Sequence, residues 1–130
     1  MTDKKLKLLI VDDEKDICTF VKLLFRKEGF LTYSALSGTQ AVRLAKKIKP
    51  DIALLDIRLK RGISGLDVLR GIRKSVPACR CVMVTWDKGE ERIKEARLIG
   101  AIDYLTKPLT TVQLLKVVNR ISKSIGSAAK

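Results

Sequence analysis

The sequence contains no histidine, and this absence excludes several kinds of catalytic and metal site. The chain of 130 residues has 3 cysteines and 0 histidines. Catalysis by Ser-His-Asp or Cys-His groups is therefore excluded. The cysteines Cys18, Cys79 and Cys81 are odd in number and form no C-x-x-C pair. We expect neither a zinc site nor a disulfide framework, and we predict that Cys79 and Cys81 are small core residues on one side of a strand.

Long apolar runs are also missing. No run approaches the roughly 20 residues that a membrane helix needs. The first five residues lead into a short apolar run without a small-residue cleavage site, so we expect no secretory signal. The length suits one domain, and a hydrophobic fraction of 46% is typical of a folded protein. We predict one domain over residues 1–125, a tail or the start of a linker over residues 126–130, and a cytoplasmic location.

Acidic residues are scarce relative to basic ones. The chain has 27 Lys and Arg against 14 Asp and Glu, a formal net charge of +13. Such a charge attracts polyanions or acidic partners, although a lysine-rich solubilising surface is the alternative. Aromatic residues make up only 5% and no nucleic-acid-binding motif is present, so we do not expect this domain alone to bind nucleic acid. Basic residues gather on the last predicted helices: Lys88, Arg92, Lys94, Arg97, Lys116, Arg120 and Lys123.

Short apolar runs alternate with amphipathic segments. Most of the runs are continuously apolar, which is typical of strands buried on both faces of a parallel sheet. The predicted strands are Leu8–Val11, Leu31–Ala35, Ile52–Leu55, Val82–Val84 and Ile102–Leu105. The predicted helices are Glu14–Glu28, a segment between Ser37 and Lys49, Leu66–Lys74, Gly89–Ile99 and Thr110–Ile125, before a frayed tail over Ser127–Lys130. This alternation predicts an open α/β sheet with helices on both faces.

Polar residues follow four of the predicted strands. They are Asp12-Asp13-Glu14 after the first, Asp56 after the third, Thr85 after the fourth and Thr106-Lys107-Pro108 after the fifth. The carboxyl ends of parallel strands share one edge, where ligands bind in open α/β sheets. If the helices divide between the two faces, the first and third strands are neighbours and their carboxylates lie close together. Carboxylates without histidine or cysteine favour Mg2+, and with a lysine and a hydroxyl they form a phosphoryl site.

Each of these residues alone has an ordinary structural explanation. A single acidic residue after a strand is usually a helix cap, which would account for Asp13 or Glu14. Thr85 could be a turn residue, and Lys107-Pro108 could be loop punctuation. Their joint placement at four strand ends favours the site.

The same residues carry a resemblance to a known family. The chain resembles the bacterial response-regulator receiver domains from residue 6 to about residue 124. The resemblance implies a doubly wound, flavodoxin-like α/β fold with five parallel strands in the order 2-1-3-4-5 and five helices. The motifs that carry it are Ile10-Val11-Asp12-Asp13-Glu14, Pro50-Asp51, Leu54-Leu55-Asp56, Val84-Thr85 and Tyr104-Leu105-Thr106-Lys107-Pro108.

The resemblance implies a role for each site residue. Asp56 would be the phosphoacceptor and a ligand of Mg2+. Asp13 would bind Mg2+ directly, Asp12 through water, and Arg58 through its backbone carbonyl. Lys107, ahead of a cis Pro108, would contact the phosphoryl group. Thr85 and Tyr104 would form the switch. It would alter the face made by the fourth helix, the fifth strand and the fifth helix.

The resemblance also implies partners. A sensor histidine kinase or phosphotransfer protein would supply the phosphoryl group, and a downstream protein target or fused output domain would read the switch. A homodimer through the face of the fourth and fifth helices is consistent with the family. We expect no membrane partner and no enzyme activity beyond the domain's own phosphorylation and dephosphorylation.

Three features depart from the family's usual pattern. Trp86 stands where a small residue is usual, and its indole would crowd the site and slow small phosphodonors, unless it simply faces solvent on a loop. Lys60 replaces a usual proline, and Gly65 comes one position late, so we predict a reshaped, more mobile loop over residues 59–64. We also predict that Arg58 and Asp87 pair across the mouth of the site, restrict water and lengthen the life of the phosphoryl group.

Three other functions compete with a phosphorylation switch. A pseudo-receiver that binds proteins without phosphorylation is favoured slightly by Trp86 and the altered loop, but the complete acidic site argues against it. A small phosphatase-like hydrolase lacks a second general acid or base and a P-loop. A nucleic-acid binder is permitted only by the charge.

Overall fold

The computed structural model describes residues 5–128, in which five strands alternate with five helices. The strands are β1 (Lys7–Val11), β2 (Leu31–Ala35), β3 (Ile52–Leu55), β4 (Arg80–Thr85) and β5 (Asp103–Thr106). The helices are α1 (Lys15–Lys27), α2 (Gly38–Ile48), α3 (Gly65–Ser75), α4 (Glu90–Ile99) and α5 (Thr111–Ala128).

All strands are parallel and form one sheet in the order β2-β1-β3-β4-β5. The predicted fold class and strand order are therefore confirmed. The register pairs Val11 with Leu55, so that β1 and β3 end side by side. It also pairs Thr85 with Thr106, so that β4 and β5 end together. The four strands that precede the predicted site residues thus finish at one edge of the sheet.

The sheet separates two apolar cores because side chains along a strand alternate between its faces. Ile52 and Leu54 of β3 belong to the core under α1 and α5, and Ala53 and Leu55 belong to the core under α2, α3 and α4. All four are fully buried, which explains the unbroken apolar run. Cys79 and Cys81 are buried in one core as predicted, although Cys79 lies one residue before β4. The third free cysteine, Cys18, is buried in the other core.

Local capping residues set the start of two helices that flank the site. The Ser37 hydroxyl accepts a hydrogen bond from the Gln40 N–H at the start of α2. Ser64 and Asp67 form a reciprocal capping box at the start of α3. Such caps are worth about 1 kcal/mol each and satisfy N–H groups that have no partner inside the helix. The capping box of Ser64 and Asp67 fixes where the loop between β3 and α3 ends.

The predicted bounds of several elements were inaccurate. β4 runs from Arg80 to Thr85 and is longer than the predicted Val82–Val84. β5 lies one residue later than predicted, because Thr106 pairs with Thr85 inside the sheet. α5 continues past Ile125 to Ala128, because Gly126 lies within the helix and does not end it. Residues 129 and 130 of the predicted tail lie outside the described part of the chain, and the predicted domain boundary stays a prediction.

α5 is the longest of the described helices. Most of its apolar residues, from Leu114 to Ile125, pack on the sheet, whereas Val112 is exposed. Its other faces carry polar residues such as Gln113, Asn119 and Arg120. Along residues 5–128, neither α5 nor any other helix is both long and apolar enough to cross a membrane.

Candidate functional site

The site lies at the carboxyl edge of β1, β3, β4 and β5. The Asp56 N–H donates to the carbonyl oxygen of Val11 at 3.0 Å, which brings the residue after β3 against the end of β1. The Lys107 N–H donates to the carbonyl oxygen of Thr85 at 2.8 Å, which brings the loop after β5 against the end of β4. The peptide bond between Lys107 and Pro108 is cis, as the resemblance implied.

Lys107 joins the two buried carboxylates of the site. Its Nζ donates to Asp12 Oδ2 at 2.8 Å and to Asp56 Oδ2 at 3.1 Å. The three side chains are 9%, 3% and 8% exposed, respectively. Burial by itself lowers the pKa of Lys107, but hydrogen bonds to Asp12 and Asp56 and their negative charges raise it above its ordinary value. The lysine therefore stays a cation between two carboxylates at neutral pH.

Backbone N–H groups hold the other oxygens of the same carboxylates. Asp12 Oδ1 accepts from the Glu14 N–H at 2.9 Å, and Asp56 Oδ1 accepts from the Arg58 N–H at 3.1 Å. Both contacts span two residues and are the local turns that aspartate favours after a strand. Together with Lys107, they fix the orientation of each carboxylate.

An acidic cluster lies beside this pair. The carboxylate oxygens of Asp12, Asp13 and Glu14 come within 4.8 Å of one another. Asp13 Oδ2 accepts from the backbone N–H of Lys60 at 2.9 Å. All donors are oxygens, which is the ligand set that Mg2+ and Ca2+ prefer, so the residues present fit a hard divalent cation.

Glu14 is the member of this cluster that the sequence analysis treated only as a helix cap. It is the N-cap residue of α1, but its side chain makes no capping hydrogen bond. Its carboxylate lies with those of Asp12 and Asp13. The signal was present in the sequence as a third consecutive acidic residue after β1, and it was outweighed by the preference for acidic residues at helix starts.

Thr85 and Tyr104, the predicted switch residues, contact the same loop residue. Thr85 is fully buried, and its Oγ1 accepts from the Asp87 N–H at 3.3 Å. The Tyr104 hydroxyl donates to the carbonyl oxygen of Asp87 at 2.6 Å, and its ring points inward with 9% exposure. Burial and the nearby Asp87 charge raise the pKa of Tyr104 to about 12. The two side chains thus hold the backbone of Asp87 from both sides.

Arg58 and Asp87 face each other across the mouth of the site. Arg58 Nη2 lies 3.7 Å from Asp87 Oδ2, so the predicted pairing is present. The Asp87 side chain is 13% exposed and also lies 3.9 Å from Arg92 Nε, a second cation that the sequence analysis did not connect with the site. Arg92 in turn contacts Glu95 at 3.5 Å on α4. The effect of these charges on a phosphoryl group remains a prediction.

A cavity of about 290 Å³ opens beside the lysine and the carboxylates. Asp12, Asp56 and Lys107 form its polar end, and Phe20 and Trp86 contribute to its largely apolar wall. Trp86 is 57% exposed and Phe20 is 53% exposed. The sequence analysis gave two alternatives for Trp86, crowding of the site or exposure to solvent. The indole does both, because it lines the cavity and is also exposed.

Known proteins share this architecture. The sequence profile of the response regulator receiver domain matches residues 8–119. A CheY-like receiver domain protein from Methanospirillum hungatei JF-1 is 25% identical with a TM-score of 0.88, over 95% of this chain and 99% of that one. The BeF3-activated receiver domain of DrrB is 27% identical with a TM-score of 0.82, over 92% of this chain and 99% of that one. NtrX from Brucella abortus, solved in complex with ATP, is 30% identical with a TM-score of 0.84, over 93% of this chain but 28% of that one.

The fold and the site define a class of protein, the doubly wound α/β domains with an acidic site at the carboxyl edge of the sheet. Within that class the family match extends over most of the chain. This chain belongs to the response regulator receiver domain family, which serves two-component signalling.

Proposed function

We propose that this receiver domain is a phosphorylation switch in which Asp56 accepts a phosphoryl group from the phosphohistidine of a kinase or phosphotransfer partner. The observation that carries the proposal is the position of Lys107 Nζ, which contacts both Asp12 at 2.8 Å and Asp56 at 3.1 Å. A structural ion pair needs one carboxylate for each lysine. Two buried carboxylates on one cation leave a negative site that suits a divalent cation and a transferred phosphoryl group.

In the proposed reaction an Asp56 carboxylate oxygen attacks phosphorus. A new P–O bond forms while the P–N bond of the donor phosphohistidine breaks, and the electron pair of that bond returns to the imidazole nitrogen. Lys107 is a cation beside Asp56, so it can neutralise charge on the phosphoryl oxygens during transfer. The Arg58 N–H holds the second Asp56 oxygen and orients the nucleophile.

Asp12, Asp13 and Asp56, with the backbone carbonyl of Arg58, are the residues that we expect to hold Mg2+. A bound Mg2+ would supply further charge neutralisation on the phosphoryl oxygens. Glu14 joins the oxygen cluster of Asp12 and Asp13 and is well placed to orient water around such a cation. The partially exposed Asp13 and exposed Glu14 leave this side of the site open to solvent.

The switch would act through the Asp87 backbone. A Thr85 hydroxyl that turns toward a phosphoryl group has to release the Asp87 N–H, which now donates to it at 3.3 Å. Tyr104 holds the carbonyl of the same residue, so the loop, Tyr104 and the start of α4 would change together. The face formed by α4, β5 and α5 would thereby alter its affinity for a partner through a shift between two populated states.

Two surfaces fit the expected partners. Phe20 and Trp86 present exposed apolar rings beside the cavity, which suits the docking of a kinase or phosphotransfer protein next to Asp56. The second surface is the face formed by α4, β5 and α5, which would change with the switch. A downstream protein, a fused output domain or a second copy would bind there. We place this domain in the cytoplasm, where the family's kinases transfer their phosphoryl groups.

A pseudo-receiver is the second candidate, and one observation favours it. Tyr104 lies inward, and its hydroxyl donates a hydrogen bond to the carbonyl oxygen of Asp87. A domain fixed in this arrangement would present one constant α4-β5-α5 face and bind its partner without phosphorylation. This alternative and the switch differ in whether a ligand at Asp56 changes the structure.

The test is a titration with Mg2+ and then with beryllofluoride, an aspartyl-phosphate mimic, followed by the fluorescence of Trp86. We expect a saturable response to Mg2+ and a second change on adding beryllofluoride that is absent in Asp56→Asn. Amide NMR spectra of the same samples report the site independently of the indole. Silence in both measurements would contradict the phosphorylation switch. Binding of both ligands without any change at Tyr104 and α4 would support the pseudo-receiver.

A further inference from the structure

The backbone of Lys60 contacts a residue that is 47 positions away in the sequence. Its N–H donates to Asp13 Oδ2 at 2.9 Å. The contact links the loop between β3 and α3 to the acidic cluster after β1. It depends on the residue type at position 60, because proline has no N–H to donate. A lysine at this position therefore supplies a donor that a proline would lack.

The loop that presents Lys60 is anchored on both sides. At its far end the Gly65 N–H donates to the Ile57 carbonyl at 2.8 Å, and a Cβ on Gly65 would overlap the carbonyl of Asp56. In its middle, Ile63 lies over α2 so closely that a Cβ on Gly38 would come within 2.6 Å of its Cγ1. We predicted a more mobile loop from the missing proline. The contacts place the segment against α2 and against the site, and its mobility stays a prediction.

One oxygen of Asp13 is occupied by this hydrogen bond. Oδ2 accepts from Lys60, and the same carboxylate comes within 4.8 Å of the carboxylate oxygens of Asp12 and Glu14. A hydrogen bond to one oxygen of a ligating carboxylate fixes its plane, and loss of such an outer partner typically weakens metal binding by 10- to 100-fold. An unsupported, partly exposed aspartate would have to be ordered by the cation itself, which costs affinity.

From this geometry we infer that the Lys60 N–H is a positioning group that orients Asp13 toward a divalent cation. The inference rests on the proposed function, since it assumes that the acidic cluster binds Mg2+. It assigns the role to the backbone of residue 60, with no part for the lysine side chain, which is exposed. The loop over residues 59–64 would then orient Asp13 through a backbone N–H that proline lacks.

Two substitutions at one position separate the backbone from the side chain. Lys60→Ala keeps the N–H and removes the charge, and Lys60→Pro removes both. We expect the Mg2+ dissociation constant, measured from amide chemical shifts of Asp13 and Glu14, to rise about tenfold in Lys60→Pro relative to Lys60→Ala. Equal constants in the two variants would overturn the inference. A wild-type domain that binds no Mg2+ would overturn the inference and the proposed function together, whereas binding with equal constants would overturn the inference alone.

A second measurement does not require the proline variant to fold. Amide hydrogen exchange at Lys60 is compared between the wild type and Asp13→Ala without added metal. We expect exchange at Lys60 to become at least about tenfold faster in Asp13→Ala, while the Arg58 N–H, which is bonded to Asp56, keeps its protection. An unchanged rate at Lys60 would show that the N–H does not serve Asp13.

Discussion

The hydroxyl of Tyr104 donates a 2.6 Å hydrogen bond to the carbonyl oxygen of Asp87, a residue 17 positions earlier in the chain. The Asp87 N–H is meanwhile bonded to Thr85 Oγ1. The backbone of Asp87 is therefore bonded to both residues that the family resemblance assigns to switching, Thr85 and Tyr104. A substitution at either partner tests whether this segment moves.

The Tyr104 hydroxyl is expected to ionise at an unusually high pH. Burial and then the charge of Asp87 raise its pKa from 10.0 to about 12. Because the folded-state pKa lies above the unfolded value, the associated stability is fully present below pH 10 and is lost as the pH rises toward 12. Absorbance titration of phenolate in the wild type minus Tyr104→Phe should show this late ionisation. A Tyr104 that titrates at the ordinary value would mean that the ring is not held inward.

Loss of the Lys107 charge is expected to destabilise the fold. Lys107→Met leaves Asp12 and Asp56 buried without a cation, which costs about 3 kcal/mol at pH 7 when no divalent ion is present. Mg2+ should restore part of this free energy of unfolding, because it neutralises the same carboxylates. Urea denaturation with and without Mg2+ measures both effects, and Lys74→Met at an exposed position of α3 is the control. Equal losses in the two variants would contradict the assigned role of Lys107.

Gly65 should tolerate no side chain. A Cβ at this position would overlap the carbonyl of Asp56 and crowd Ile57 Cα, which is backbone and cannot rotate away. We expect Gly65→Ala to lower the free energy of unfolding by at least about 2 kcal/mol. Gly126→Ala is the matched control, since a Cβ there meets nothing within 4 Å and alanine favours the α5 helix by up to about 1 kcal/mol. Similar stabilities of the two variants would be inconsistent with the observed packing.

The pairing of Arg58 with Asp87 should slow the loss of the phosphoryl group. A partly exposed ion pair contributes at most about 1 kcal/mol of interaction free energy. We therefore expect Arg58→Ala to speed dephosphorylation by about two- to fivefold and to change the stability of the fold little. The decay of radiolabelled domain measures the rate. Arg61→Ala removes an exposed charge from the same loop and should leave the rate unaltered. An unchanged rate in Arg58→Ala would show that the pair does not restrict water.

Much of the site was predictable because it depends on strand ends. Hydrophobic runs of strand length located β1, β3, β4 and β5, and the residues that follow them necessarily meet where parallel strands finish. Asp12, Asp56 and Lys107 were identified in this way, and the structure places them in direct contact. The strand order came from the family resemblance, because hydrophobic pattern alone does not fix which strands are neighbours.

Contacts between loops were not predictable in the same way. The hydrogen bond from Lys60 to Asp13 depends on the path of a loop with no periodic pattern, and no sequence signal pointed to it. The ion pair of Arg70 with Glu95, at 2.9 Å between α3 and α4, depends on rotamers and on how two helices pack. The length of α5 was underestimated, because the glycine at position 126 has a low helix propensity that the helix nevertheless accommodates.

The sheet divides the apolar interior into two separate cores, and this division affects how sequences of this fold can diverge. Leu54 packs under α1 and α5, while its neighbour Leu55 packs under α2, α3 and α4. Each layer of helices therefore packs against a different set of side chains. Substitutions that share no contacts have additive effects, and each layer can accumulate compensating changes without reference to the other. A domain with 25% identity and a TM-score of 0.88 is consistent with such independent drift. A chimaera that takes α1 and α5 from a relative is expected to keep the contacts of Lys107 with Asp12 and Asp56, because these three residues follow strands and lie in neither helix.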